Sequence, residues 1–179
     1  MVRPYRIEKL RRDHHRATFT SGDLMIDRWV RQFAYQNMKS GVTVVYALVN
    51  VAHPLEMLGF YTLSAATVQL GHLPPEWAKR YPKYPDVPVA LLGRMGMLTS
   101  LQGHGLGSAL VADALQRAQR LADTIGLAGV FVQAKDLARV PFYERLGFHR
   151  LEPSLDLFIP MRHVRVAARS PVVESDVTR

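Results

Sequence analysis

The stretch that decides the fold is Met97-Leu-Thr-Ser-Leu-Gln-Gly-His-Gly-Leu-Gly107. Its three glycines, at positions 103, 105 and 107, permit close backbone approach and dihedral angles that other residues avoid. The preceding residues 89–98 read as a strand, and the apolar residues of 108–125 recur every three or four positions, as in a helix. A glycine turn between a strand and a helix presents the unpaired N–H groups and the positive dipole end of that helix to a ligand. Such a turn suits a phosphate group.

Two common phosphate motifs do not match this turn. A P-loop ends in Gly-Lys-Ser/Thr, whereas Gly107-Ser108 lacks the lysine. A dinucleotide-binding turn has the spacing G-x-G-x-x-G and an acidic residue at a strand end about 20 positions later. Here the spacing is G-x-G-x-G, and Asp123 lies inside the predicted helix. Considered alone, the turn is also compatible with a glycine-rich connection that binds nothing.

The rest of the chain alternates helices and strands around this turn. N-capping residues at positions 20, 21 and 23 precede a predicted helix that Gly41 ends. Residues 71–88 hold five of the eleven prolines and are predicted to form a functional loop with a short helix around residues 76–81. Further strands are predicted at 43–49 and 57–63, as a hairpin about His53-Pro54, and at 130–133 and 156–161, with a helical segment from Asp136 to Leu146-Gly147. That order predicts one α/β or α+β domain with helices on both faces of its sheet.

Composition narrows the class of protein. The 179 residues, 48% of them hydrophobic, suffice for one core. The chain has no cysteine, no apolar run of the roughly 20 residues that span a bilayer, and no N-terminal apolar stretch typical of a secretory signal. We therefore expect a cytoplasmic protein without membrane association. Residues 1–163 are predicted to form the domain and residues 164–179, which lack periodicity, a flexible tail.

The net charge of +8 indicates a polyanionic partner, such as a nucleic acid or a nucleotide cofactor. Eighteen of the 23 basic residues are arginine, whose planar guanidinium suits phosphate better than the point charge of lysine. A solvated basic surface explains the charge equally well. The seven histidines show no metal-binding spacing such as H-E-x-x-H, so no metal site is predicted.

Two motifs are similar to those of a known family. Gln102-Gly-His-Gly-Leu-Gly107 matches the Q/R-x-x-G-x-G/A acetyl-coenzyme A motif of the GNAT acetyltransferase superfamily. Pro141-Phe-Tyr-Glu-Arg-Leu-Gly-Phe148 resembles the tyrosine-bearing helix of that superfamily and the Gly-Phe that follows it. The resemblance covers about residues 5–163. It implies the GNAT fold, in which a central mixed and twisted sheet carries helices on both faces.

The resemblance also implies a cofactor, acetyl-CoA, and a set of site residues. Tyr143 would protonate the departing thiolate, and residues 95–97 would flank the pantetheine and offer a backbone N–H to the thioester oxygen. Without the glycine motif, Tyr143 reads first as a packing residue of a short helix. The residues implied in coenzyme binding are Met95, Gly96, Met97, Gln102, Gly103, His104, Gly105, Leu106, Gly107, Ser108 and Phe142.

Residues 59–66, 73–75, 81–85 and 91–94 resemble more narrowly the GNAT toxins of bacterial type II toxin–antitoxin modules. That resemblance implies acetylation of the α-amine of aminoacyl-tRNA, a block of translation, a ribbon-helix-helix antitoxin as partner, and a homodimer. The match to the pattern of these toxins is looser at Met25-Ile26-Asp27. His104 stands where an arginine or lysine is more usual, which weakens one phosphate contact near neutral pH, where histidine is largely uncharged.

The candidate acceptor-binding residues are basic. Arg94 lies inside what reads as a buried strand and must have a partner there, so we predict that it is functional or structurally paired. Further candidates for binding the phosphates of the tRNA acceptor stem are Arg28, Arg31, Lys79, Arg80 and Lys83, each of which ordinary solvation explains as well.

No general base stands out, because nothing ties His72 or Glu76 to the reacting amine. A free α-amine has a pKa of about 7.7–8.0, against about 10.4 for lysine. Esterification of the carboxyl to tRNA should lower the pKa of that α-amine further. An aminoacyl-tRNA amine is therefore expected to be largely neutral without a strong base, which favours that acceptor. Two alternatives stay open: a GNAT enzyme that acetylates a small amine or a protein amine, and a catalytically silent GNAT-fold binding module.

Overall fold

Seven strands form one mixed sheet in the computed structural model, which describes residues 5–81 and 85–164. In chain order they are β1 (Tyr5–Lys9), β2 (Val44–Asn50), β3 (His53–Gln69), β4 (Asp86–Met97), β5 (Gly129–Gln133), β6 (His149–Arg150) and β7 (Asp156–Pro160). Their hydrogen-bonded order is β1-β2-β3-β4-β5-β7-β6. The pairs β1–β2, β5–β7 and β6–β7 are antiparallel, whereas β4 and β5 are parallel. The mixed sheet confirms the predicted fold class.

The α-helices of the described residues are α1 (Leu24–Gln32), α2 (Ala34–Lys39), α3 (Pro75–Ala78), α4 (Leu106–Ala122) and α5 (Val140–Glu144). The Asp23 carboxylate caps α1 by accepting hydrogen bonds from the backbone N–H groups of Met25 and Ile26. The prediction of one continuous helix up to Gly41 was wrong. The helix is interrupted at Phe33, whose side chain is exposed, while Ala34 at the start of α2 is fully buried.

The chain divides into two compact units. Of the described residues, the first contains 5–62 and 94–113, and the second contains 63–81, 85–93 and 114–164. Strands β3 and β4 and helix α4 contribute residues to both.

An aromatic cluster forms the core of the first unit. The ring of Phe60, which is fully buried, meets Phe19 edge-on at 5.6 Å between centroids and stacks on Trp29 at 6.0 Å. Such aromatic pairs stabilise a fold by roughly 0.5–1.5 kcal/mol beyond their buried area. The cluster packs the loop before α1, α1 itself and β3 together. These elements carry part of the site described below.

Trp77 of α3 anchors the proline-rich segment of the second unit. Its indole is buried and packs against Phe158 of β7 at 5.6 Å and against the imidazole of His149 in β6 at 4.9 Å. The sequence analysis placed the short helix of this segment too late, at residues 76–81, whereas the helix begins at Pro75 and ends at Ala78.

Both edge strands, β1 and β6, escaped prediction. Charged side chains occupy β1, where the Arg6 guanidinium lies 2.7 Å from the Glu8 carboxylate, so the strand shows no apolar alternation. Charges of this kind are one way in which proteins protect a sheet edge from further pairing. Strand β6 has only two residues, too few for a pattern.

Several boundaries also differ from the prediction. Strand β3 begins at His53, so the hairpin turn lies at residues 51–52, and Pro54 is tolerated because it stands at the start of the strand. Strand β4 begins at Asp86, which shortens the proline-rich loop. Helix α4 begins at Leu106 and ends at Ala122 rather than at residue 125.

The predicted tail lies outside the described residues apart from its first member. That residue, Val164, is buried. Within residues 5–81 and 85–164, no helix has the length and apolar character needed to cross a bilayer.

Candidate active site

The glycine turn lies in the first unit, between a 3-10 turn at Thr99–Leu101 and the start of α4. Gly103 and Gly105 both have φ +79°, a left-handed conformation that side chains with a Cβ rarely adopt. Nothing lies within 4 Å of the position that a Cβ would occupy at either residue. The backbone geometry, rather than crowding, therefore requires glycine at both places, and the turn is open on its outer side.

The main chain of this turn is rich in unused donors. Within the described part of the chain, the backbone N–H groups of residues 103–108 donate to no other residue, and the first bond of the helix runs from the Ala109 N–H to the Gly105 carbonyl at 3.3 Å. These amides stand at the positive end of a 17-residue helix. Open space, free N–H groups and a helix dipole fit a diphosphate, as the sequence predicted for acetyl-CoA.

Gln102 lies beside this donor array, and its side chain bonds to protein. Its amide Nε2 donates to the Ser21 carbonyl at 2.8 Å and to the Met97 carbonyl at 3.1 Å. His104 is exposed, and its Nδ1 lies 2.9 Å from the Gln102 carbonyl, so Nδ1 carries the proton of that bond. In the neutral ring the remaining nitrogen, Nε2, is an acceptor, so His104 could donate to a phosphate from Nε2 only when both ring nitrogens are protonated.

The end of β4 approaches α1 and β3 closely. A Cβ on Gly96 would lie 2.9 Å from Cε1 of Phe60 and 3.0 Å from Cγ2 of Ile26. Met97 is buried, and its side chain packs against Gly59 of β3. Because the side-chain faces of residues 96 and 97 are occupied, the backbone is the part of these residues that remains for coenzyme binding.

Arg94 has a partner, as the sequence predicted, but it lies on the surface and not in a buried strand. The residue is exposed, so the description of its position as buried was wrong. Its guanidinium carbon lies 4.7 Å from the centroid of the Trp29 ring, a cation–π contact, and its backbone N–H donates to the buried Thr62 hydroxyl at 2.9 Å. Trp29 therefore fixes a positive charge beside α1.

The two candidate arginines of α1 have different surroundings. Arg28 is exposed and bonds only loosely within its helix, from Nε to the Gln32 side chain at 3.3 Å. Arg31 donates from Nε and Nη2 to the Phe19 carbonyl and lies 4.0 Å from the Asp27 carboxylate. Arg28 is free to bind an external phosphate, whereas Arg31 supports the fold.

Tyr143 of α5 lies in the second unit. Its ring packs edge-on against Phe142 and Phe148, at 5.0 and 5.8 Å between centroids, and only 7% of the residue is exposed. Burial raises the pKa of the Tyr143 phenol, an effect that the positive charge of Arg139 opposes. The group therefore stays protonated at physiological pH, as a proton donor must.

The Tyr143 hydroxyl is not engaged in the fold. It makes no hydrogen bond with any described residue. Among the described residues, Arg16 Nη1 is the buried side-chain polar atom without a partner, so the unpaired Tyr143 oxygen itself reaches solvent. The ring is packed as a structural residue would be, and the oxygen is available as a catalytic one would be.

The remaining candidates follow α3. Lys79 and Arg80 are exposed, and Lys83 lies outside the described residues. No group of three or more His, Cys, Asp or Glu side chains suited to a metal occurs within residues 5–81 and 85–164.

Sequence reasoning missed a buried carboxylate that organises this region. Asp27 is 2% exposed, and its Oδ1 accepts from both the backbone N–H and the hydroxyl of Ser21, at 2.8 and 2.6 Å. A signal was present, because Asp27 stands on the face of α1 that otherwise carries Trp29 and Val30. A carboxylate at such a position requires hydrogen-bond donors.

Known proteins resemble this chain over most of its length. A model of the acetyltransferase (GNAT) family matches residues 12–148. A probable toxin TacT of Sinorhizobium fredii is 29% identical over 161 residues, which cover 85% of this chain and 88% of the relative. A tRNA-acetylating toxin of Mycobacterium tuberculosis is 32% identical over 151 residues, which cover 83% of this chain and 87% of the relative.

Solved structures agree with the sequence relatives. A tyrosine-to-phenylalanine mutant of KacT superposes with a TM-score of 0.86 and 29% identity, over 90% of this chain and 97% of the other. AtaT complexed with acetyl-methionyl-tRNAfMet superposes with a TM-score of 0.82 and 28% identity, over 88% and 95%. With a family model that spans most of its length and a relative that is 32% identical, this chain belongs to the GNAT acetyltransferase family.

Proposed function

We propose that this protein transfers the acetyl group of acetyl-CoA to the α-amine of an aminoacyl-tRNA and acts as the toxin of a toxin–antitoxin pair. The observation that carries the proposal is the array of free backbone N–H groups at residues 103–108. The relatives support the rest, since they include a tRNA-acetylating toxin, AtaT with acetyl-methionyl-tRNAfMet, and AtaTR bound with AcCoA.

The turn is the part of the chain that would hold the coenzyme. Its backbone N–H groups, from Gly103 to Ser108, would bind the pyrophosphate, with the main chain of residues 95–97 along the pantetheine and Phe142 as a further predicted contact. The coenzyme supplies an activated thioester. Preorganised donors of this kind need no rearrangement when charge develops, which is why they are effective in catalysis.

Tyr143 is proposed as the general acid. It holds a proton on Oη, its raised pKa keeps that proton in place, and no described residue competes for it. The acceptor amine needs less help than a lysine amine, because the α-amine pKa of about 7.7–8.0 falls further when the carboxyl is esterified to tRNA. A strong base is therefore not required for this acceptor.

Four basic residues are proposed to contact tRNA phosphates: Arg28, Lys79, Arg80 and Arg94. Arg28 is exposed on α1, and Trp29 orients Arg94. Arg31 leaves this set because its donors already bond to Phe19. Lys83 stays a sequence-based candidate.

The partners are proposed by analogy with the relatives. AtaT is known bound to the C-terminus of the antitoxin AtaR, and KacTA forms a complex with DNA. We propose a ribbon-helix-helix antitoxin for this chain and a homodimer in the cytoplasm. Light scattering of the purified protein, and co-purification with the product of a neighbouring small gene, test these two assignments.

The decisive experiment is mass spectrometry of total charged tRNA after incubation with the protein and acetyl-CoA. We expect N-acetylated aminoacyl-adenosine after nuclease digestion, and much less of it in the same incubation time with the Tyr143→Phe variant. Acetylation of polyamines or peptides in place of charged tRNA would establish the alternative enzyme. Coenzyme binding without any transfer would establish a silent binding module.

A further inference from the structure

We propose that Gln102 is a positioning residue that fastens the glycine turn to the loop before α1, and thereby couples binding of acetyl-CoA to binding of the acceptor. This inference rests on the proposed function. It differs from the direct coenzyme contact that the sequence motif suggested for Gln102.

The hydrogen bonds of Gln102 define its role. Nε2 is 2.8 Å from the Ser21 carbonyl and 3.1 Å from the Met97 carbonyl. Both partners can only accept, so the two atoms of the side-chain amide are assigned by chemistry: the nitrogen faces the carbonyls. Both N–H groups are then in use, and the remaining Oε1 is an acceptor, which cannot bind a phosphate oxygen.

A second bond joins the same two segments. The Thr99 N–H donates to the Thr20 carbonyl at 3.0 Å. Thr99, in the 3-10 turn, and Gln102, at the start of the glycine turn, are thus bonded to residues 20 and 21 of the loop. All four residues belong to the first unit. Few other bonds can hold the turn against the loop, because Gly103 and Gly105 have no side chains.

From this loop the connection continues into α1. The backbone N–H and hydroxyl of Ser21 bind the buried Asp27 carboxylate, two residues before Trp29. Trp29 in turn carries the guanidinium of Arg94, and Arg28 is exposed on the same helix. The hydrogen bonds of the turn and loop therefore lead to α1, whose backbone carries Asp27, Arg28 and Trp29 and so connects the proposed coenzyme turn to the residues proposed to bind RNA.

Steady-state kinetics of Gln102→Met and Gln102→Glu test the coupling. Both variants keep the length of the side chain and remove both donors. We expect KM to rise on the order of tenfold for acetyl-CoA and also for aminoacyl-tRNA, as two lost hydrogen bonds suggest, with a much smaller change in kcat. A rise in the KM for acetyl-CoA alone, larger for the glutamate variant, would mean direct phosphate contact and would overturn the proposal.

A double-mutant cycle with Ser21→Ala sharpens the result. Ser21→Ala weakens the link to Asp27 without touching the turn, so it should raise the KM for aminoacyl-tRNA. If Gln102 acts through Ser21, the two effects on that KM should be less than multiplicative. Multiplicative effects would show that the residues act independently and would contradict the coupling.

Hydrogen exchange separates this proposal from the proposed function, because it needs no turnover. In the Gln102→Met protein, the peptide that covers residues 20–23 should exchange faster than in the wild type. Gln133→Met is the matched control, since the exposed Gln133 amide bonds only to Asp156 at 3.0 Å, in the second unit. Unchanged exchange at residues 20–23 refutes the positioning role, whether or not the protein acetylates tRNA.

Discussion

Tyr143 combines a packed ring with an unengaged hydroxyl, so substitution by phenylalanine removes only the proton donor. We expect kcat of Tyr143→Phe to fall by about 10²–10⁴, the usual contribution of a general acid. KM and the melting temperature should change little, because the hydroxyl bonds to no described residue. Steady-state acetylation of charged tRNA measures kcat and KM, and calorimetry measures the melting temperature.

The matched control is Tyr81→Phe, which deletes a hydroxyl that lies 3.4 Å from the Ala128 carbonyl and should leave kcat unchanged. The pH profile gives a second check. Because the pKa of Tyr143 is raised, the acid form persists to at least the ordinary tyrosine value of about 10. The rate should rise as the acceptor amine loses its proton and show no fall from Tyr143 below that pH. Full activity of Tyr143→Phe would leave Tyr143 with a packing role.

Substitution of Gly105 tests whether the glycine turn binds the coenzyme. Alanine there must adopt φ near +79°, at a cost of roughly 1–2 kcal/mol, or else distort the donor array. We expect Gly105→Ala to raise the Kd for acetyl-CoA at least tenfold in isothermal titration. Gly126→Ala, where a Cβ also meets nothing within 4 Å and φ is not left-handed, should bind normally. Equal Kd values for the two variants would mean that the turn does not hold the coenzyme.

At the scale of elements, the attachment of β1 depends on a buried histidine. His14 accepts a hydrogen bond on Nδ1 from the Arg11 N–H at 3.0 Å, and its Nε2 faces the Glu8 carboxylate at 3.0 Å. Burial lowers the pKa of His14, although the Glu8 carboxylate opposes the shift. The neutral ring, with Nδ1 free to accept, is thus the form that fits this structure.

This arrangement predicts how stability depends on pH. As the pH falls below the ordinary histidine pKa of about 6.5, the unfolded chain binds a proton that the folded His14 resists. The contribution of His14 to the free energy of unfolding is therefore completely present above that pH and decreases on acidification. Urea denaturation between pH 7 and 5 should show this slope, and His14→Gln should flatten it. A slope that His14→Gln leaves unchanged would mean that His14 does not set this pH dependence.

Elements with a strong pattern were predictable, and those set by long-range contacts were not. The heptad-like spacing in α4 and the Asp23 cap are local, so the sequence located both. Strand β1 exists because residues 5–9 pair with residues 46–50. Its charged residues show no apolar alternation that would have indicated this pairing. The same holds for the site: the glycine turn and Tyr143 were visible as motifs, whereas the bonds of Gln102 to Ser21 and Arg31 to Phe19 join residues far apart in sequence.

For the whole molecule, the net charge of +8 makes salt the natural probe. Each phosphate contact that is lost should reduce the slope of log K against log salt concentration by about one. We expect Arg28→Ala to lower that slope for tRNA binding by about this amount. Filter binding at several salt concentrations provides the measurement.

Arg120→Ala is the control for charge alone, because Arg120 is exposed in the last turn of α4 and has no proposed RNA contact. It removes the same charge as Arg28→Ala and should leave the slope unchanged. Identical slopes for the two variants would show that only overall charge matters. In that case α1 would not be part of the tRNA-binding surface.

The placement of the two tryptophans has a practical consequence. The chain contains two in all, Trp29 in the first unit and Trp77 in the second. Removing either leaves an intrinsic fluorophore that belongs to a single unit. With Trp77 replaced by phenylalanine, the emission of the remaining indole would report on the guanidinium above it. Capture of Arg94 by a nucleic acid could then be followed optically, in real time and without any label.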